Sequence, residues 1–136
     1  MIRGRFLAEL TKEVLTDLEA NKYTMAEYRL SIYGRRKAEW DSLAAWVLNH
    51  GLFSKNIVWM IQLPRLFNIY KTQGTMKNFQ QMLDNIFIPL FEVTIDPSSH
   101  PELHHFLKTV VGFDMVDDES KPERRPNKHM RVPEDW

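Results

Sequence analysis

The carboxylates of this chain are its residues best placed for chemistry. Asp114, Asp117, Asp118 and Glu119 crowd the end of an apolar run, VVGFDMV, that reads as a strand. Paired carboxylates at a strand's C-terminal end can bind a cation or a polar substrate, because the loops of parallel sheets converge there. A solvated loop with one salt bridge explains the same residues, and more readily than direct catalysis does. Histidine offers less. His100 and His104 have the i, i+4 spacing that puts two ligands on one helix face, but no third ligand lies nearby and no HExxH pattern occurs. They read as surface histidines, with His105 and His129 weaker candidates still. With no cysteine in the chain there is no Cys/His nucleophile pair and no disulfide. Neither a glycine-rich phosphate loop nor a GxSxG elbow is present. A basic run, Arg35, Arg36 and Lys37, follows Gly34; it is either a solvated loop or part of a ligand site at a strand end.

The elements that must position these residues are organised around Asn56 to Arg65, NIVWMIQLPR. Its nearly continuous apolar character predicts a strand covered on both faces, as in a parallel sheet, and Pro64 ends it. Before it, residues 25 to 33 alternate. Ala26, Tyr28, Leu30 and Ile32 point one way; Glu27, Arg29 and Ser31 point the other. The second face is either solvent or the lumen of a closed barrel, where Glu27 and Arg29 would pair as i, i+2 neighbours. Residues 110 to 116 form the third strand. Helices are predicted over 2 to 21, with a stripe of Phe6, Leu10, Val14 and Leu18, over 38 to 49, and over 76 to 95, with a kink near Asn85 caused by Pro89. Phe67 and Tyr70 continue into a turn of helix or loop that closes at Gly74. Ser99 and Glu102 fit a capping box for a short helix through Lys108.

The strand–helix alternation gives an α/β chain of about three parallel strands with covering helices over residues 1 to 119. Residues 120 to 136 hold three prolines and many charges and read as an exposed tail. The 136 residues, 43% of them hydrophobic, suffice for one domain with a core. A formal net charge of zero argues against general attraction to nucleic acid or an anionic membrane, and no segment approaches the ~20 apolar residues of a membrane span. A difficulty remains. Three parallel strands leave two long exposed edges, whereas a complete (β/α)8 barrel needs roughly 200 residues or more. If Glu27, Arg29 and Ser31 line a lumen, most of the wall is missing.

Three stretches carry a resemblance that explains this: GRFLAELTKEVLTDLEANKYTMAEYRLSIYGR, NIVWMIQLPRLFNIYK, and NFQQMLDNIFIPLFEVTIDPSSHPELHHFLKTVVGFDMVDDESKPERRP. Together they resemble AMP deaminase, and the ending ESKPERRPNKHM is most similar to the plant members. The resemblance implies a partial (β/α)8 TIM barrel, its three strands being the second to fourth. It implies a zinc-dependent hydrolase that converts AMP to IMP and ammonia, homo-oligomeric when full length and cytosolic. In the family, the HxH metal pair and the KFNLKY-type substrate loop come before this segment. The HSGE and SLSTDDP motifs come after it, and none of the four occurs here. No catalytic or metal residue is therefore carried over, and the segment by itself is expected to bind no zinc and to be inactive. In related adenosine deaminases the fourth strand ends in DLAGDE, whose main chain touches the purine. Here the equivalent is DMVDDE, with Asp117 in place of the glycine, which places Asp117 and Asp118 near the substrate. The competing reading is a non-catalytic α/β interaction module that associates with full-length subunits through its open edges.

Overall fold

The computed structural model describes residues 4–120 and 128–136. In chain order the elements are α1 (Arg5–Ala20), β1 (Ala26–Ser31), α2 (Glu39–Asn49), β2 (Ile57–Pro64), α3 (Phe67–Thr72), α4 (Phe79–Ile95), α5 (Pro101–Leu107) and β3 (Val110–Val116), followed by a short 3-10 turn at Pro133–Asp135. The strands form one parallel sheet in the order β1-β2-β3. The apolar strand is thus the central one, paired along both edges. This is the α/β sector expected of a partial barrel.

Strand parity divides the sheet. Ile57, Trp59, Ile61 and Leu63 of β2 are buried on one face, while Val58, Met60, Gln62 and Pro64 stay half-buried on the other. Only one face of β2 is therefore sealed, where the sequence predicts two. On the sealed side Trp40, Leu52, Ile61, Leu103 and Phe106 are fully buried. The Trp40 indole donates to the Ile86 carbonyl at 2.8 Å and the Trp59 indole to the Leu52 carbonyl at 3.2 Å, so both large rings are buried without an orphaned N–H. Pro89, fully buried inside α4, cannot donate to the Asn85 carbonyl, and Trp40 bonds the very next carbonyl of that disturbed turn.

Local signals account for the element ends. Asn78 caps α4 by accepting from the Gln81 N–H at 3.0 Å, so the helix starts at Phe79 and not at residue 76. The capping box predicted at Ser99 does not form. The Ser99 hydroxyl donates to the Asp96 carbonyl, and α5 starts after His100 with Pro101 in its first turn, where a missing N–H costs nothing. In α1 the stripe departs from expectation. Ala8 and Leu15 are buried, whereas Phe6, Leu10 and Val14 are 72%, 49% and 42% exposed. Asn56 anchors the other side of this helix's end. Its buried Nδ2 donates to the carbonyls of Leu18, Asn21 and Thr24 at 3.3, 3.2 and 2.8 Å, tying the end of α1 to the start of β2. The end of the chain is not wholly detached, since Trp136 stacks on Phe79 with ring centroids 5.5 Å apart.

Candidate functional site

The C-terminal ends of β1, β2 and β3 come together because the strands are parallel, with Arg29 opposite Met60, Ser31 opposite Gln62, and, past a register shift at Trp59/Met60, Gln62 opposite Asp114. The half-open face therefore presents Glu27, Arg29, Ser31, Gln62 and Asp114 side by side. Arg29 does not pair with Glu27, as the strand alternation suggested. It reaches across β2 and places Nε 2.7 Å from Asp114 Oδ2. That hydrogen bond and the charge of Asp114 raise the Arg29 pKa above its ordinary value. A strand-length strip of polar groups on an otherwise apolar sheet is thereby cross-linked from its first strand to its third. Only a face meant for polar contents or water tolerates such an arrangement.

The loop after β1 is shaped by Glu39, the first residue of α2. Its carboxylate accepts the backbone N–H groups of Tyr33 and Gly34 at 2.9 Å each and of Arg35 at 3.0 Å. Gly34 has a positive φ of 71° and is packed so closely that an added Cβ would sit 3.0 Å from Ile86 and 3.1 Å from Met82. Its carbonyl accepts from the Asn85 amide at 2.9 Å. Arg35 emerges from this fixed turn beside the Tyr33 and Tyr70 rings, with its guanidinium 5.2 and 5.4 Å from their centroids and its Nε 3.3 Å from the Tyr70 hydroxyl. The bond to Tyr70 raises the Arg35 pKa. Arg35 and Tyr70 border a cavity of about 170 Å³ completed by Gln73, Thr75 and Met76.

After β3 the chain turns at Asp117 and Asp118. Arg65, just past β2, lies with Nη1 3.4 Å from Asp117 Oδ2 and donates its backbone N–H to the Val116 carbonyl at 2.9 Å. Asp118 accepts from the Ser120 N–H at 3.2 Å and from its hydroxyl. The predicted acidic cluster is therefore divided: Asp114 serves the sheet, Asp117 faces a cation, Asp118 closes a turn, and Glu119 is exposed.

The histidines part company as well. His100 is no surface residue. Its ring is clasped between α2 and α4, with Nδ1 2.8 Å from Asp41 and Nε2 3.3 Å from Glu92. Burial lowers its pKa, but the bonds and charges of the two carboxylates outweigh this, so the net value lies above 6.5. His104 instead lies against His105, with ring centroids 5.7 Å apart. His129 lies in the exposed end.

A zinc ion needs three or four converging deprotonated donors. Among the described residues no group of three His, Cys, Asp or Glu side chains converges in this way. His100 has both ring nitrogens occupied by carboxylates, and Asp114 and Asp117 face guanidinium groups. The donor set of the described residues does not fit a zinc site. No described helix is long and apolar enough to cross a membrane.

Two of the positioning residues escaped the sequence reading. Glu39 carried a usable signal, an acidic residue in the first turn of a helix after a glycine. Tyr70 carried none, because its contact with Arg35 depends on how α3 folds back.

Comparison with known proteins agrees with this geometry. The family model described as AMP deaminase matches residues 1–136. A rice protein named probable AMP deaminase is 67% identical over 136 residues, and an Arabidopsis AMP deaminase is 68% identical over 136 residues; both matches cover 100% of this chain. A fission yeast AMP deaminase is 58% identical over 135 residues, 99% of this chain. The chain spans only 17%, 16% and 16% of these three relatives. From the full-length match and the parallel, polar-faced sheet together, the chain belongs to the AMP deaminase family of aminohydrolases.

Proposed function

We propose that this chain is one sector of the catalytic barrel of an AMP deaminase. The complete protein would hydrolyse AMP to IMP and ammonia in the cytosol, as a homo-oligomer. The supporting observation is the match along the entire segment at about two-thirds identity to proteins named for that activity. The open polar strip of Arg29, Ser31, Gln62 and Asp114 fits the inner wall of such a barrel. The role of this sector is to shape the substrate end. Asp117 and Asp118 stand at the rim, where carboxylates accept hydrogen bonds from a purine, and the Arg29–Asp114 bridge holds β1 and β3 in fixed relation beneath them. Zinc, which the donor set here does not suit, would be held by parts of the complete protein outside this segment.

The test is ammonia release from AMP by the 136-residue chain with added zinc. No turnover is expected, because the HxH, HSGE and SLSTDDP motifs are absent from its sequence. Clear turnover would overturn the proposal.

A further inference from the structure

We infer that Arg35 and the cavity it borders bind a phosphate monoester, and that this contact makes a nucleotide, not its nucleoside, the substrate of the complete protein. The inference rests on the AMP deaminase reading and adds to it the group that recognises the phosphate.

Two loops build the site, and both follow strand C-terminal ends. Arg35 lies in the loop after β1, while Tyr70, Gln73, Thr75 and Met76 belong to α3 and the turn that follows it, after β2. Ligands of parallel α/β sheets bind at that end. The guanidinium is held before any ligand arrives. Glu39 gathers the N–H groups of Tyr33, Gly34 and Arg35, which fixes the backbone that carries it. The Tyr33 and Tyr70 rings lie 5.2 and 5.4 Å from it, and its Nε donates to the Tyr70 hydroxyl at 3.3 Å. Tyr70 is itself buried, so this anchor is fixed by the core.

The remaining donors match an anion. Nε is spent on Tyr70, and the N–H groups of the two Nη atoms form the planar fork that meets two phosphate oxygens at once. Glu39, the carboxylate whose charge acts on Arg35, is committed to backbone N–H groups and does not bridge to the guanidinium. The Tyr70 oxygen accepts from Arg35, which leaves its O–H to donate, and the Gln73 amide adds further donors. Thr75 contributes shape only, since its hydroxyl donates to the Tyr70 carbonyl at 3.1 Å. Arg36 and Lys37 follow directly, so the local field favours a dianion. Size decides which part of a nucleotide enters. The cavity of about 170 Å³ is well under the roughly 300 Å³ at which pockets for whole small-molecule ligands begin, so it takes the phosphate and leaves ribose and base outside. The strand that ends in Asp117 and Asp118, β3, runs two strand spacings from β1, roughly 10 Å, so the base and phosphate of one nucleotide can occupy the two ends.

The test compares AMP with adenosine in a complete enzyme carrying this segment. Arg35→Gln is expected to raise KM for AMP about 10- to 100-fold, as loss of a charged hydrogen-bonded contact does, with kcat changed by less than about threefold. Its kcat/KM for adenosine should stay within about threefold of the parent, a result that general damage to the fold would not give. Where adenosine turnover is too slow to follow, its inhibition constant against AMP serves. Arg35→Lys, with the charge but no fork, should fall between. Calorimetric titration with inorganic phosphate should show binding to the parent and none to Arg35→Gln. If Arg35→Gln does not fold, Tyr70→Phe replaces it, with KM for AMP raised several-fold and adenosine unaffected. Equal losses on AMP and adenosine, or no change on either, would overturn the inference. An unchanged KM for AMP with phosphate binding lost would overturn it in favour of a separate phosphate-bearing effector. An unaltered enzyme inactive on AMP would sink the AMP reading instead, and the phosphate titration would still judge Arg35 by itself.

Discussion

Replacing Gly34 by alanine attacks the turn that carries Arg35 to the strand ends. Two costs add. A φ of 71° is left-handed, and a Cβ there costs about 1–2 kcal/mol. The new methyl would also sit 3.0 Å from Ile86 and 3.1 Å from Met82, both buried, and forcing such a contact costs about 1–3 kcal/mol. The expected loss is thus about 2–5 kcal/mol. Gly74 separates the two costs, since its φ of 67° is nearly the same but nothing lies within 4 Å of the Cβ position. Gly74→Ala should lose only the backbone share, about 1–2 kcal/mol. Urea unfolding followed by the fluorescence of the buried Trp40 and Trp59 reads both variants, with an unchanged denaturant slope as the sign that compactness is preserved. If Gly34→Ala falls within about 0.5 kcal/mol of Gly74→Ala, the close packing assigned to this turn is wrong.

Asn56→Ala should cost about 2 kcal/mol by leaving the carbonyls of Leu18, Asn21 and Thr24 without their shared donor, and Asn56→Asp should cost more, because it sets a carboxylate against three carbonyl oxygens. Equal or reversed costs in urea unfolding would contradict the donor assignment. His100→Ala should destabilise by about 1–2 kcal/mol near pH 6. A histidine whose folded pKa is raised contributes fully below its unfolded value of about 6.5 and loses that contribution as pH rises through the folded value, so the variant and the parent should converge above that window. A difference that grows with pH would refute the two-carboxylate clasp. In a complete enzyme carrying this segment, Asp118→Asn should raise KM for AMP several-fold more than it lowers kcat, as a rim contact made before the chemical step requires; a fall in kcat alone would place Asp118 elsewhere.

Strand type was legible because it depends on local composition; the strand order was not, and the residues by themselves left the apolar strand free to be an edge. The continuous apolar run at 57–63 marked a strand but overstated its burial, since only one face is sealed, and the alternation from Ala26 to Ile32 correctly sorted Arg29 and Ser31 onto the polar face. Pairing across the sheet was not legible. Arg29 is two residues from Glu27 but bonds Asp114, a choice set by the register of three strands. His100 illustrates the same limit, since its partners Asp41 and Glu92 come from helices that only tertiary packing brings together. The stripe on α1 was readable as apolar, but periodicity says which side of a helix wants covering and not whether anything covers it. At Ser99, a sequence match to a capping box lost to Asp96, whose carbonyl took the hydroxyl, and to Pro101, which fixes the first turn by itself.

The most direct test of membership and role together is ammonia release from AMP by a chimera in which this chain replaces the corresponding segment of the rice relative, 67% identical to it. If the sector builds the same wall and substrate rim, the chimera should keep kcat/KM within about tenfold of its parent. A chimera that folds and assembles like the parent yet loses activity by about a thousandfold or more would contradict the assignment.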